Sequence, residues 1–272
     1  MYRHVQKPKK RSDIRLKTGQ AYFIFKRRLL WLFGGIKFAG KSTEELKYMC
    51  FSHSTPLLRK LKDVDMHLQY NKIKNLKIAV AKVNNVIIHP GETFSYWKLI
   101  GKTTKRKGYL EGMVLKDGSV KAGIGGGLCQ LSNLIYWMTL HTPLTVVERH
   151  RHSYDVFPDT GRTQPFGSGA TCFYNYVDLM IKNNTNQSFQ LKLEVTEHEL
   201  KGMWKTNKLL GCRYEVYEKE HYIQMAYWGG YTRHNRIFRR KYGKDGSLID
   251  DEFIVENHAI MMYAPLLAKL RA

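Results

Sequence analysis

The amino-acid sequence predicts an α+β fold, with a central apolar helix packed on a mostly antiparallel sheet. Three observations carry that prediction. Apolar residues recur at helical spacing in only a few short stretches. Alternating and β-branched segments dominate the second half of the chain. The turns between them, Asp117-Gly118 and Asp245-Gly246 among them, are hairpin turns that favour antiparallel neighbours.

In chain order, AYFIFKRRLLWLFGGIKF places Tyr22, Phe25, Leu29, Leu32, Phe33 and Ile36 on one helical face, with Lys26, Arg27 and Arg28 beside it. NKIKNLKIAVAKVNN repeats Ile73, Leu76, Val80 and Val83 at helical spacing. Asn84-Asn85 turns into VIIHPGETFSYW, a strand, a Pro-Gly turn and an aromatic run. YLEGMVLKDGSVKAG reads as a hairpin about Asp117-Gly118. After three glycines, Leu128, Leu131, Leu134, Ile135 and Met138 form one buried helical stripe. Leu144 to Val147 is strand-like and leads into ERHRHS. Strand geometry there would put His150 and His152 on one face, and Arg149 and Arg151 on the other. TCFYNYVDLMIKNNT and SFQLKLEVTEHEL read as two strands joined by an Asn-rich turn. Arg213 to Gln224 alternates as a strand, and RIFRRKYGKDGSLIDDEFI is a hairpin. The expected organisation is a basic amphipathic segment, 1–45, followed by an α+β domain, 46–272.

The 272 residues are 43% hydrophobic and carry a net charge of +22, so the chain folds and attracts anions. The first 41 residues hold twelve Lys and Arg against Asp13 alone. A basic amphipathic helix suits an anionic membrane surface. The apolar run Leu29 to Ile36 is too short to span a bilayer. A long basic tract before it argues against a secretory signal. The reading is therefore a cytoplasmic protein, peripheral at the inner membrane face. No helix-turn-helix, RNA-binding or zinc-finger pattern occurs, so nucleic acid is not an expected partner. The four cysteines form no C-x-x-C pair and suit a reducing compartment. Zinc shared by Cys129, His150 or His152, and Cys172 would need gaps that match no structural zinc spacing, so neither metal nor cofactor is expected. The oligomeric state is left open.

GIGGGLCQLSNLIYWMTL raises the chemical question. A thiol in the first turn of a helix feels the positive end of the helix dipole, which favours thiolate. Gly125, Gly126 and Gly127 would let backbone N–H groups face a developing oxyanion, with Gln130 as a further donor. Cys129 is thus the candidate nucleophile and His152 the candidate base, with His150 as the fallback. Asp178 would orient the imidazole. This chain order follows papain-like and transglutaminase-like enzymes by analogy. Arg149, Ser153 and Arg162 are candidate substrate contacts, the last in FPDTGRTQPFGSGATCFYNY, a Gly- and Pro-rich loop of binding-loop character. The competing class is a non-catalytic accessory that binds a precursor or another protein at the membrane.

PGETFSYW, GGGLCQLSNLIYWM, ERHRHSYDVFPDTGRTQPFGSGATCFYNY and VDLMIKNNT, in that order, resemble the VanW family from about Asn75 to Thr185. The resemblance implies a place in glycopeptide resistance or cell-envelope biology, with a cell-wall precursor or peptide as partner. The family pattern includes positions matching Cys129, Gln130 and His152, but it brings no assigned activity. The chemical hypothesis is a cysteine-dependent hydrolase or acyltransferase acting on amide or ester bonds of such precursors.

Overall fold

The computed structural model describes Val5 and residues 11–58, 65–116, 118–157 and 163–265. It is α+β with mostly antiparallel sheets. In order come α1 (Asp13–Phe33), β1 (Gly40–Lys41), β2 (Tyr48–Pro56), α2 (Met66–Val83), β3 (Val86–Ile88), β4 (Thr93–Ser95) and α3 (Tyr96–Ile100). The hairpin β5 (Glu111–Lys116) and β6 (Ser119–Ile124) leads to α4 (Cys129–Leu140). Then follow β7 (Thr145–Glu148), β8 (Tyr154–Asp155), β9 (Met180–Lys182), β10 (Phe189–Val195), β11 (Glu199–Thr206), β12 (Cys212–Met225), β13 (Tyr231–Gly243) and β14 (Leu248–Met261).

The strands form sheets in the orders β1-β3-β10-β11-β2, β12-β13-β14-β8, β4-β9-β7 and β5-β6. The core lies where α4 meets β2, β7 and β11. Leu131, Leu134, Ile135 and Met138 are fully buried, as their spacing requires, and Tyr136, Trp137 and Leu140 join them. The helix is thus enclosed nearly all round and not on one stripe alone. Thr139 ties it to β11, its Oγ1 accepting from Trp204 Nε1 at 3.2 Å.

Several local expectations change. The aromatic run after the Pro-Gly turn is the short helix α3, started by Ser95, whose Oγ accepts from the Lys98 N–H. ERHRHS leaves the strand after Glu148, and only His150 forms an isolated bridge, with Thr171. The histidines therefore share no strand face. The two strands flanking the Asn-rich turn belong to different sheets, because β9 pairs with β4 and β7 while β10 pairs with β3 and β11. SFQLKLEVTEHEL is itself a hairpin, turned where Thr196 Oγ1 accepts from the Glu199 N–H. The turn at Gly118 is as read, although Asp117 lies outside the described residues.

Helix α1 is inverted relative to an ordinary amphipathic helix. Its inner side holds Gln20, Ile24, Arg27 and Trp31. Arg27, only 8% exposed, is the residue that enters the body of the protein. The apolar face points outward: Phe25 is 60%, Leu32 72% and Phe33 79% exposed.

Candidate functional site

The glycine triplet answers a packing need. Gly125 and Gly127 have φ of +77° and +90°, a conformation that side chains resist. A Cβ on Gly126 would lie 2.2 Å from the Gly112 carbonyl of β5, and one on Gly127 2.2 Å from the Lys72 stem. The turn thus lets α4 start against the β5–β6 hairpin and α2. Buried Asn75 of α2 clamps it, donating to the carbonyls of Gly126 and Leu110 and accepting from the Leu110 N–H. The three glycine N–H groups are already engaged, donating to the carbonyls of Leu110, Gly123 and Met113. They do not form the open oxyanion cradle expected from the sequence. Gln130 likewise turns away, its Nε2 donating to Thr55 Oγ1 and the Pro56 carbonyl of β2, both at 2.9 Å.

Cys129 opens α4 as expected, but its surroundings oppose ionisation. Burial raises its thiol above the ordinary range, and backbone hydrogen bonds from Cys172 and from Cys129 itself offset this only in part. Its Sγ lies 3.9 Å from the Cys172 carbonyl. Cys172 is raised much further, first by burial and then by Cys129. No side chain caps α4. Beside it, Ser132 Oγ donates to the Ala170 carbonyl at 2.6 Å, and Asn133 Oδ1 accepts from the Ala170 N–H. These bonds staple the glycine-rich loop to the helix. Alkylation of native protein with iodoacetamide near neutral pH is expected to reach Cys129 more slowly than in urea-unfolded chain. Peptide mass spectrometry checks the two rates.

The imidazoles lie in separate environments. His150 Nε2 meets Glu148 Oε1 at 2.9 Å, and Arg27 Nη2 reaches the same oxygen at 2.6 Å. The Asp178 N–H donates to it as well. Burial alone would raise the Glu148 carboxyl, yet the bonds from His150 and Arg27 hold it below its ordinary value. Arg27 also donates to the Tyr176 carbonyl and Met180 Sδ. Glu148 is thus the hub that fixes α1, and the sequence reading missed it. His152 lines a crevice with Leu115, Gly118, Tyr154 and Val156. Burial, then the Arg151 charge, lowers its pKa.

Asp178 is fully buried. Its Oδ2 accepts from Ser95 Oγ at 2.6 Å, and its Oδ1 accepts from the Trp97 and Leu179 N–H groups at 2.9 Å. It joins β9 to the start of α3 and orients no imidazole. Burial raises its carboxyl to about 7, against the lowering effect of the Ser95 and Trp97 bonds. Among the described residues, no hydrogen bond or ion pair links Cys129, His152 and Asp178 to one another.

Arg149 is spent on the glycine-rich loop. It donates to the carbonyls of Gly167 and Gly169 and to Asn257 Oδ1, and it lies 5.0 Å over the Tyr136 ring. Ser153 is exposed, and its carbonyl accepts from the Ile260 N–H. Arg162 lies outside the described residues. Arg151, read only as part of a basic run, stands over Phe166 at 5.1 Å, with Arg233 over the same ring at 4.4 Å. Arginines in a loop-adjacent run with an aromatic partner downstream were the available signal. Among the described residues, no group of three or more His, Cys, Asp or Glu side chains is placed to hold a metal ion. No helix among them is long and apolar enough to cross a membrane.

Residues 71–204 match a family model described as VanW like protein. The chain is 29% identical to "Vancomycin B-type resistance protein VanW" of Enterococcus faecalis, over 87% of this chain and 88% of that protein. It is 28% identical to "Uncharacterized protein YoaR" of Bacillus subtilis, over 43% of this chain and 37% of that protein. No solved structure matches.

Proposed function

The chain belongs to the VanW family, and from that premise we propose that it is an accessory of glycopeptide resistance or cell-envelope metabolism that works as a non-catalytic binding protein on an anionic membrane surface. One observation carries the reading: α1 turns its aromatic and aliphatic face outward while its buried side is latched by an ion pair. An exposed face bearing Tyr22, Phe25, Leu29, Leu32 and Phe33 is costly in water and stabilised at a lipid interface. Lys17, Lys26 and Arg28 on the same helix select anionic headgroups. A cell-wall precursor held at such a surface is the expected partner, as the +22 charge and the family relationship suggest.

Co-sedimentation of the full chain with phosphatidylglycerol–phosphatidylcholine vesicles tests this reading. Binding is expected to weaken with salt and to fall about tenfold or more when Phe25, Leu29 and Leu32 are all replaced by serine. Equal binding to purely zwitterionic vesicles, or an undiminished triple variant, overturns it.

A second reading keeps Cys129 as the nucleophile of a hydrolase or acyltransferase on cell-wall peptide. It rests on the sulfur at the start of α4 and on the papain-like chain order of Cys129, His152 and Asp178. It requires the thiol to ionise against its burial, so it ranks below the membrane reading.

A further inference from the structure

We infer that the Arg151 guanidinium, standing on Phe166 beside His152, anchors an oxyanion-binding site for a carboxylate or phosphate group. The inference goes beyond the membrane reading, since it concerns the opposite end of the ERHRHS segment from the residue that latches α1.

The argument is one of charge compensation. Three guanidiniums surround the loop that carries Phe166: Arg149 through the carbonyls of Gly167 and Gly169, and Arg151 and Arg233 over the ring itself. Nearby carboxylates have other partners. Asp155 accepts from Arg233 at 3.3 Å and from Tyr263 at 2.9 Å. Glu218 meets Asn235 and His221, and Glu256 meets His258. Arg149 satisfies its donors on carbonyls and Asn257. Among the described residues, no hydrogen bond or ion pair engages the Arg151 side chain; it stands on the Phe166 ring and feels the charge of Asp155, a carboxylate already bound by Arg233 and Tyr263.

Burial is the main cause that lowers the Arg151 guanidinium to about 10, followed by the Arg149 charge. The Asp155 carboxylate offsets this only in part, and the Arg151 charge also lowers His152 and His234. A desolvated cation with no hydrogen-bonded carboxylate of its own is unfavourable, whereas the planar fork of an arginine matches a carboxylate or phosphate in two parallel bonds. Phe166 backs the guanidinium at 5.1 Å, and Ser153, exposed two residues on, offers a hydroxyl nearby in sequence.

Thermal unfolding of the full chain tests the site at fixed ionic strength, with chloride as the reference. One arm uses inorganic phosphate and diphosphate. The other uses acetate and an N-acetylated dipeptide with a free C-terminal carboxylate. An anion present at about ten times its Kd is expected to raise the midpoint by roughly 2–4 °C. The arm that responds at the lower concentration identifies the source. Arg151→Met should abolish the rise, and Arg151→Lys, which keeps charge but loses the fork, should reduce it. On unaltered protein, the effective anion should also protect Arg151 from phenylglyoxal, read by mass spectrometry, so a poorly folding variant leaves the test intact. No rise beyond chloride, an Arg151→Met protein that responds like the parent, or no protection of Arg151 overturns the inference.

Discussion

Glu148→Ala is expected to lower stability toward urea by roughly 3–5 kcal/mol, because it strands a buried cation. The Arg27 side chain is 9% exposed and spends one donor on Glu148 Oε1 at 2.6 Å. His150 and the Asp178 N–H would lose the same acceptor. A buried ion pair is weak evidence of net stabilisation, since two charges must leave water to form it. Removing one member is another matter, for the remaining charge stays desolvated. The double variant Arg27→Met with Glu148→Leu is therefore expected to recover much of the loss. Urea midpoints at unchanged slope measure both effects. A single variant within about 0.5 kcal/mol of the parent would show that Arg27 finds water or another partner.

Asp178→Ala is expected to cost a similar amount, about 3–5 kcal/mol, by leaving Ser95 Oγ and the Trp97 and Leu179 N–H groups without their acceptor. Asp178→Asn keeps an acceptor of the same shape and should stay within about 1.5 kcal/mol of the parent. The pair of variants also isolates a pH effect. The folded carboxyl titrates near 7 against 3.8 for the ordinary group. The native state thus binds the proton more tightly than the unfolded chain. The contribution of Asp178 is fully present below about pH 4 and is lost as pH rises through 7, on the order of 4 kcal/mol in all. His141 and His234, each lowered to about 4, slope the other way as they are freed of protons. The difference between parent and Asp178→Asn removes their share. In urea melts, the parent should lose ground to the variant between pH 5 and pH 7.5. Parallel curves would mean that the carboxyl is ionised throughout.

The central helix and the hairpins were legible because each rests on short-range rules. Leu128 to Met138 repeats at helical spacing, and each Asp-Gly pair marks a tight hairpin connection. The site was far less legible. Cys129, the glycines and two histidines form a plausible chemical pattern, yet backbone amides can be claimed by carbonyls from any part of the chain. Those of Gly125 and Gly127 are taken by Leu110 and Met113 of the preceding segment. Asp178 finds Ser95 across 83 residues, a separation no local pattern encodes. Helix α1 carried a readable clue. Gln20, Ile24, Arg27 and Trp31 lie at helical spacing on the side opposite Phe25 and Leu32, so the wheel already placed Arg27 with Trp31 and apart from the apolar face. The sequence reading instead grouped Arg27 with Lys26 and Arg28 as basic residues beside the apolar face, so its inward role went unread.

The latch between Arg27 and Glu148 spans 121 residues of chain. On a ribosome adding about 5–20 residues per second, α1 is made roughly 6–24 s before its anchoring carboxylate exists. For that interval Ile24 and Trp31 have no body to pack on, and both flanks of the helix are available to whatever lies beside the exit tunnel. On the membrane reading, the nascent helix can reach lipid while its own domain is still being written.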